Sequence, residues 1–285
     1  MKWYRNKILS KLFLVTDEWN VAWKKKGEEK YNIIKNPLNF WLADSLIYLD
    51  KVSNKTFLFV EAFNKRRKKG EIAVLEYQKN TFENFRIVLS ENYHLSYPNV
   101  FYYNGNHYMI PESSENNSID LYIALEFPNK WKKNKIILEG KYVDTSIIKI
   151  EKNLFELYTY NIIKNTAYLL EWNIETNKTI VKRNIKDELN TLRSAGNAIL
   201  KEKKIFQPIQ YNRYLYGEAI IFIDLKNEEK RYKILPIDIK NSKNYKYRRS
   251  HTYSCIENIE VIDLSDFHFD FFKILKKLIN SFKIF

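Results

Sequence analysis

"YPNVFYYNGNHYMIPESS", residues 97–114, reads as an apolar strand, a turn, and a second apolar strand that ends on Pro111 and the carboxylate Glu112. The runs are rich in Val, Ile, Tyr and Phe, residues that suit a pleated, half-buried surface, and helical periodicity is scarce anywhere before residue 265. The sequence is all-β.

The same unit occurs four more times, as "ADSLIYLDKVSNKTFLFVEAF" from Ala43, "VDTSIIKIEKNLFELYTYN" from Val143, "SAGNAILKEKKIFQPIQYN" from Ser194 and "HTYSCIENIEVIDL" from His251. The starts are about fifty residues apart, the length of a four-stranded blade, so the pattern predicts a five-bladed β-propeller over residues 18–263. A β-sandwich gives no reason for such a period. A propeller must seal its first sheet to its last, and "EWNVAWK" from Glu18 is the segment that would do so.

At 285 residues, 45% hydrophobic and 16% aromatic, the chain can bury a large core. No apolar run approaches the ~20 residues of a membrane span, and the basic start "MKWYRNKILSKLFLV" lacks the apolar core of a signal peptide. The lone Cys255 excludes an internal disulfide framework, so we expect a cytoplasmic protein. The net charge of +14 suits phosphorylated sugars or an anionic membrane, and it also suits nucleic acid. Its clusters, "KRRKK" (65–69), "KWKKNK" (130–135) and "KYRR" (246–249), are scattered beside turns and read first as solvated loops. With no zinc finger, helix-turn-helix or RNP-type strand, no nucleic-acid polymer is expected as a partner.

In a propeller the first strand of each blade lines the channel, so the polar residues that open those strands converge. Here they are Asp44, Tyr97 and Asn99, Asp144, the Ser194–Asn197 turn with Arg193 before it, and His251. The second strands end near Glu61, Glu112, Gln207 and Gln210. Carboxylates crowded into a poorly solvated pocket cannot all ionise, which separates an acid from a base as sugar-transfer chemistry requires. Asp44, Glu112 and Asp144 are therefore the candidate catalytic residues. Glu61, Trp41, His94, Tyr97, Asn99, Arg193, Asn197, Gln207, Tyr211 and His251 are the candidate substrate-binding residues. Plainer readings stand beside these: Asp44 and Asp144 suit Asx turns, Glu61 suits its own loop's lysines, Glu112 suits a solvated turn, Arg193 suits a structural bridge to a neighbouring blade, and His251 suits a hydrogen-bonded structural role.

The segments "FWLADSL", "FLFVEAFNKRRKKGEIAVLEY", "HLSYPNVF", "MIPESS", "LEGKYVDTSI" and "RSHTYS" resemble the propeller domain at the N-terminus of plant glucosamine inositolphosphorylceramide transferases and of many bacterial surface-polysaccharide proteins. That domain is similar in turn to five-bladed glycoside hydrolases of the arabinanase and xylosidase type. The resemblance implies that Asp44, in "ADS", is the blade 1 base and Asp144, in "VDT", the blade 3 residue that tunes proton affinity. The hydrolases' third carboxylate, a glutamate, has no counterpart at the start of "RSAGNAIL", and their "ADP" reads Ala43-Asp44-Ser45 here. Both departures speak against simple hydrolysis and leave Glu112 as the best available acid.

The C-terminal stretch 264–285 changes character: Phe267, Phe271, Ile274, Leu275, Leu278 and Phe282 fall on one helical face flanked by lysines, with Asp263, Ser265 or Asp266 as its cap. Such a basic amphipathic helix suits packing on the propeller, or peripheral contact with an anionic membrane at its inner face, helped by the basic segment 1–17. There is no Gly-rich phosphate loop, no Asp-x-Asp pair and no zinc spacing among four histidines and one cysteine, so neither metal nor cofactor is expected. The resulting expectation is a metal-independent glycosyltransferase of bacterial surface-polysaccharide (capsule or lipopolysaccharide) synthesis. It would use a nucleotide- or phosphate-activated sugar donor and a glycan or lipid-linked acceptor. A propeller-type glycoside hydrolase and a non-catalytic glycan-binding module are the alternatives.

Overall fold

A computed structural model describes residues 18–201, 203–214, 216–225 and 249–265, with the short pieces 14–15, 239–240, 246–247 and 268–269. The chain forms a five-bladed β-propeller. Blade 1 is the antiparallel meander Phe40–Asp50, Lys55–Asn64, Lys69–Gln78 and Thr81–Leu89. Blade 2 runs Ser96–Tyr103, Asn106–Glu112, Ser118–Glu126 and Lys130–Glu139. Blade 3 runs Tyr142–Glu151, Leu154–Asn161, Thr166–Asn173 and Thr179–Lys186. In blade 4 the inner strand is broken into Arg193–Ser194 and Ile199–Lys201; both pieces pair with Lys204–Tyr211, which pairs on its other side with Ala219–Asp224.

Blade 5 is built from both parts of the chain. Its inner strands, Tyr253–Ile256 and Ile259–Ser265, continue into Trp19–Lys25 and Asn32–Ile33. Trp19 pairs with Ser265 and Lys25 with Ile259, so the segment expected to close the ring does close it. The last of these strands extends to Ser265, so Leu264 and Ser265 belong to the blade and Asp263 sits within a strand rather than capping a helix. His268–Phe269 pairs with Leu14–Val15. The remainder of the expected C-terminal helix, and of the segment 1–17, lies outside the described residues.

Strands with near-continuous apolar runs, such as "FLFV" at 57–60, are buried on both faces because each blade is sandwiched between two others. Five apolar clusters result, one for each blade junction. Leu42 and Leu58 meet Val21 and Val261 between blades 1 and 5, and Phe101 and Ile110 meet Phe155 and Trp172 between blades 2 and 3. Truncating one such side chain to Ala costs ~2–5 kcal/mol.

One backbone device recurs in the inner strands. The register slips between Ala43 and Leu46, between Ser96 and Asn99 and between Val143 and Ser146, and within each slip the residues Asp44, Tyr97 and Asp144 take left-handed φ values of 46°, 47° and 51°. These are β-bulges, which re-aim a side chain. Asp tolerates the left-handed region better than most residues, whereas Tyr97 is held there by its surroundings.

Candidate functional site

The bulges lie at the end of the channel where the inner strands begin. There a cavity of ≈ 200 Å³ is walled by Trp41, Asp44, Glu61 and Phe63 of blade 1, by His94, Ser96 and Glu112 of blade 2 and the turn before it, by Arg193 and Tyr216 of blade 4, and by Trp19 and His251 of blade 5. Larger clefts, of ≈ 710 and ≈ 310 Å³, open between the outer strands of blades 5 and 1 and between blades 3 and 4. The candidate site is the smaller cavity, because Asp44, Glu61 and Glu112, from the starts of the inner strands and the ends of the second strands, meet there with Arg193 and His251. Glu61 pairs across the strands with Ala43, and Glu112 with Ser96, so the two glutamates occupy equivalent positions beside the bulges of blades 1 and 2.

Asp144 lies just behind the wall. Arg193 places Nε at 2.8 Å and Nη2 at 2.7 Å from Asp144 Oδ2, and its guanidinium packs over the Tyr216 ring. His251 is clamped between two carboxylates, with Nε2 2.9 Å from Asp44 Oδ1 and Nδ1 2.8 Å from Asp263 Oδ2. Asp263 also accepts the backbone N–H groups of His251 and Thr252, and Trp19 packs edge-on against the imidazole. Trp41 and Phe63 stack at 4.5 Å, almost parallel, forming a flat aromatic wall of the kind that packs on sugar rings.

Several residues expected in the wall are elsewhere. Strand direction carries residues after the bulge down the channel, and there Tyr97 O–H bonds Ser146 Oγ (2.6 Å) and Ser194 Oγ (2.9 Å). Gln207 donates to Ser194 Oγ and to the Gly196 carbonyl, and Asn99 and Asn197 exchange amide hydrogen bonds. Tyr97, Asn99, Asn197 and Gln207 therefore plug the channel and tie blades 2, 3 and 4 together beneath the cavity. Tyr211 packs into the junction of blades 3 and 4 instead of the cavity wall, and Gln210 donates to Asp144 from behind.

The charge states separate. Burial alone would raise Asp44, but the His251 cation, its hydrogen bond and the Thr252 hydroxyl outweigh it and hold Asp44 below the usual carboxylate range. Burial would lower His251, yet Asp263 and Asp44 push it up to about 10. Burial and then the Asp44 charge push Glu61 well above the usual range. Glu112 opens onto the cavity but is enclosed by protein, and burial with the Asp144 charge takes it up to about 8. Burial raises Asp144 also, against the opposing Arg193 charge. Because Arg193 is bound to Asp144, the proton of that pair resides on Glu112. At neutral pH the cavity thus presents an ionised Asp44 beside a protonated Glu112 and a Glu61 pushed toward its protonated form.

Asp44, His251 and Asp263 also bring three possible metal ligands within 4.8 Å of one another. The carboxylates engage opposite nitrogens of one imidazole, so the ring as placed cannot join both of them on a single ion.

Residues 29–271 match the family described as glucosamine inositolphosphorylceramide transferase 1, N-terminal. The chain belongs to that family. The Arabidopsis thaliana protein named glucosamine inositolphosphorylceramide transferase 1 is 41% identical over 117 residues, covering 40% of this chain and 15% of its own length. The protein of the same name from Oryza sativa subsp. indica is 27% identical over 219 residues, covering 71% of this chain and 28% of its own length. The chain therefore spans less than a third of the relatives it matches. Among solved structures, a thermostable family-43 glycoside hydrolase aligns with a TM-score of 0.54 at 12% identity, over 80% of this chain and 89% of the other. A family-43 β-xylosidase/α-arabinofuranosidase from a compost microbial metagenome gives 0.53 at 9%, over 86% and 95%. At these identities the likeness is one of fold.

Trp19, Phe63, Ser96 and Asp263 were missed by the sequence reading. Trp19 sits on the closing strand, and Asp263 follows a strand pattern that also reads as a helix cap. The signal for Asp263 was its place opposite Thr252 in the fifth repeat.

Proposed function

We propose that the cavity is the site of a glycosyl transfer from a phosphate-activated sugar donor to a lipid-linked or glycan acceptor, at the inner face of a membrane. The observation that carries this is the convergence of Asp44, Glu61 and Glu112 on one cavity beside the stacked rings of Trp41 and Phe63. Membership of a family named for a glycosyltransferase of a sphingolipid supports the substrate classes. In this reading Asp44, its Oδ1 held by His251 and Thr252, takes the proton of the acceptor hydroxyl through its other oxygen. The protonated glutamates supply the acid side, and Trp41 with Phe63 supports the face of the sugar. Arg193 commits Nε and Nη2 to Asp144, so it offers a leaving phosphate its charge and its remaining N–H edge rather than a full fork.

The test is to incubate the purified protein with a panel of nucleotide sugars and follow thermal stabilisation and slow donor hydrolysis in wild type, Asp44→Asn and Glu112→Gln. Stabilisation by a donor, with turnover that falls at least ~100-fold in Asp44→Asn, is the expected result. Stabilisation without turnover would assign a glycan-binding module. Release of sugar from oligosaccharides with no response to nucleotides would assign a hydrolase acting through the same carboxylates.

A further inference from the structure

The two glutamates are held differently. Glu112 accepts from Ser114 Oγ on Oε1 at 2.9 Å, and the charge of Asp144 behind the wall opposes its ionisation. Glu61 is held by a clip that the five-fold repeat does not require. The Gly70 backbone N–H donates to His94 Nδ1 at 3.0 Å, which makes Nδ1 an acceptor and leaves the ring proton on Nε2. That Nε2 lies 3.3 Å from Glu61 Oε1, a buried oxygen with no hydrogen bond of its own among the described residues. Glu115 Oε2 fixes the clip from outside by accepting the His94 backbone N–H at 2.8 Å. Only glycine fits at position 70: a Cβ there would stand 2.3 Å from the Leu95 carbonyl oxygen, 2.8 Å from Glu61 Oε1 and 2.9 Å from His94 Cε1.

We propose that Glu61 is the group that hands a proton to the leaving group, and that Gly70 and His94 position it by setting the Nε2–H edge of the imidazole 3.3 Å from Oε1, which favours the acid proton on Oε2. This rests on the reading of the cavity as a sugar-transfer site. In the step, the sugar–oxygen bond of the donor breaks with its electron pair passing to the leaving oxygen, which takes the Oε2 proton. The acceptor oxygen forms the new bond as its proton passes to Asp44. Glu61 becomes a carboxylate that the His94 Nε2–H stabilises, and the proton on Asp44 returns to it through the solvent of the cavity. The charged groups facing Glu61 agree with a proton held there. Asp44 of its own blade, Glu112 of blade 2 and Asp263 of blade 5 oppose its ionisation, and His251 of blade 5 favours it. His94 is itself kept neutral, chiefly by burial.

The test uses the full chain. Long-range 1H–15N NMR of histidine-labelled protein should show His94 neutral with its proton on Nε2. A difference infrared spectrum of wild type against Glu61→Gln at neutral pH should show the loss of one protonated carboxyl. Following that band with pH, His94→Phe should move its disappearance upward by about one pH unit, because a donor to the carboxylate is gone, whereas His94→Gln, which retains an N–H donor, should restore it. An ionised Glu61 at neutral pH, a proton on His94 Nδ1, or a titration unmoved by His94→Phe would overturn the proposal. Glu61→Gln should also lower donor turnover at least ~100-fold. Wild-type protein inert toward every donor would defeat the functional reading, while the spectra would still decide the clip.

Discussion

Blades 1 and 4 descend from the same repeat and end in opposite chemistry. In blade 1 the bulge carries Asp44, whose side chain turns to the cavity, and the neighbouring strand adds Glu61. In blade 4 the same place is taken by the buried Ala195 and by Gly196, and the inner strand breaks. The backbone there closes on the next blade, with the Tyr253 N–H donating to the Ala195 carbonyl at 2.6 Å and no room for a side chain at position 196. One blade spends its bulge on a working carboxylate and the other on a seam. A repeat fixes where a side chain starts, and the neighbour decides whether it faces a pocket or a wall.

Five substitutions break or sharpen this contrast, with effects that decrease from Asp44 to the blade 1 loop. Asp44→Asn should lower donor turnover ~10²–10⁴-fold, since it removes the base and leaves His251 with Asp263 alone. Gly196→Ala should cost more than ~4 kcal/mol in urea unfolding, because its Cβ would lie 1.8 Å from the Tyr253 carbonyl oxygen and both partners are backbone.

The pH dependence of stability separates the blade 5 clamp from the rest. The folded-state value of His251 is raised from 6.5 to about 10, so the folded form binds more protons. Its contribution is complete below pH 6.5 and is lost as pH rises through 10, on the order of 5 kcal/mol. Glu112, raised from 4.5 to about 8, acts in the same direction over its own range. Asp44, which is lowered, contributes above its unfolded value of 3.8 and is lost as acid protonates it. Denaturant midpoints should therefore decline from mildly acidic to alkaline pH, and His251→Gln should flatten the decline above pH 6.5. Replacing Arg66 and Lys68 by Ser, in the exposed blade 1 loop, should change stability by no more than ~0.5 kcal/mol and leave turnover unaltered.

The sequence was most informative where a pattern recurred. Five copies of a strand-turn-strand unit gave the blade count, and the closing role of "EWNVAWK" followed from topology alone. The convergence of Asp44, Glu61 and Glu112 was legible because Asp44 opens the first strand of its copy and Glu61 and Glu112 close the second strands of theirs, all at one end of the channel. Tyr97 stands there also, yet its phenol runs down the channel to Ser146 and Ser194, partners on two other blades that no single repeat reveals. Asp263 looked like a helix cap because the apolar spacing after it is helical, whereas the strand that binds His251 extends past it to Ser265. The clip on Glu61 was hidden for a similar reason, since Gly70 comes from a strand of blade 1, His94 from the connection to blade 2, and Glu115 from a turn within blade 2.

The central claim is that an ionised Asp44 and a protonated glutamate work together in one cavity. The pH profile of donor turnover, measured for wild type and Asp44→Asn on whichever nucleotide sugar stabilises the protein, tests it most directly. The account predicts wild-type turnover that falls on the alkaline side as Glu61 gives up the proton that burial and the Asp44 charge hold on it, and a loss of at least ~100-fold in Asp44→Asn at every pH. Turnover by Asp44→Asn at the wild-type rate, with an unaltered profile, would contradict it.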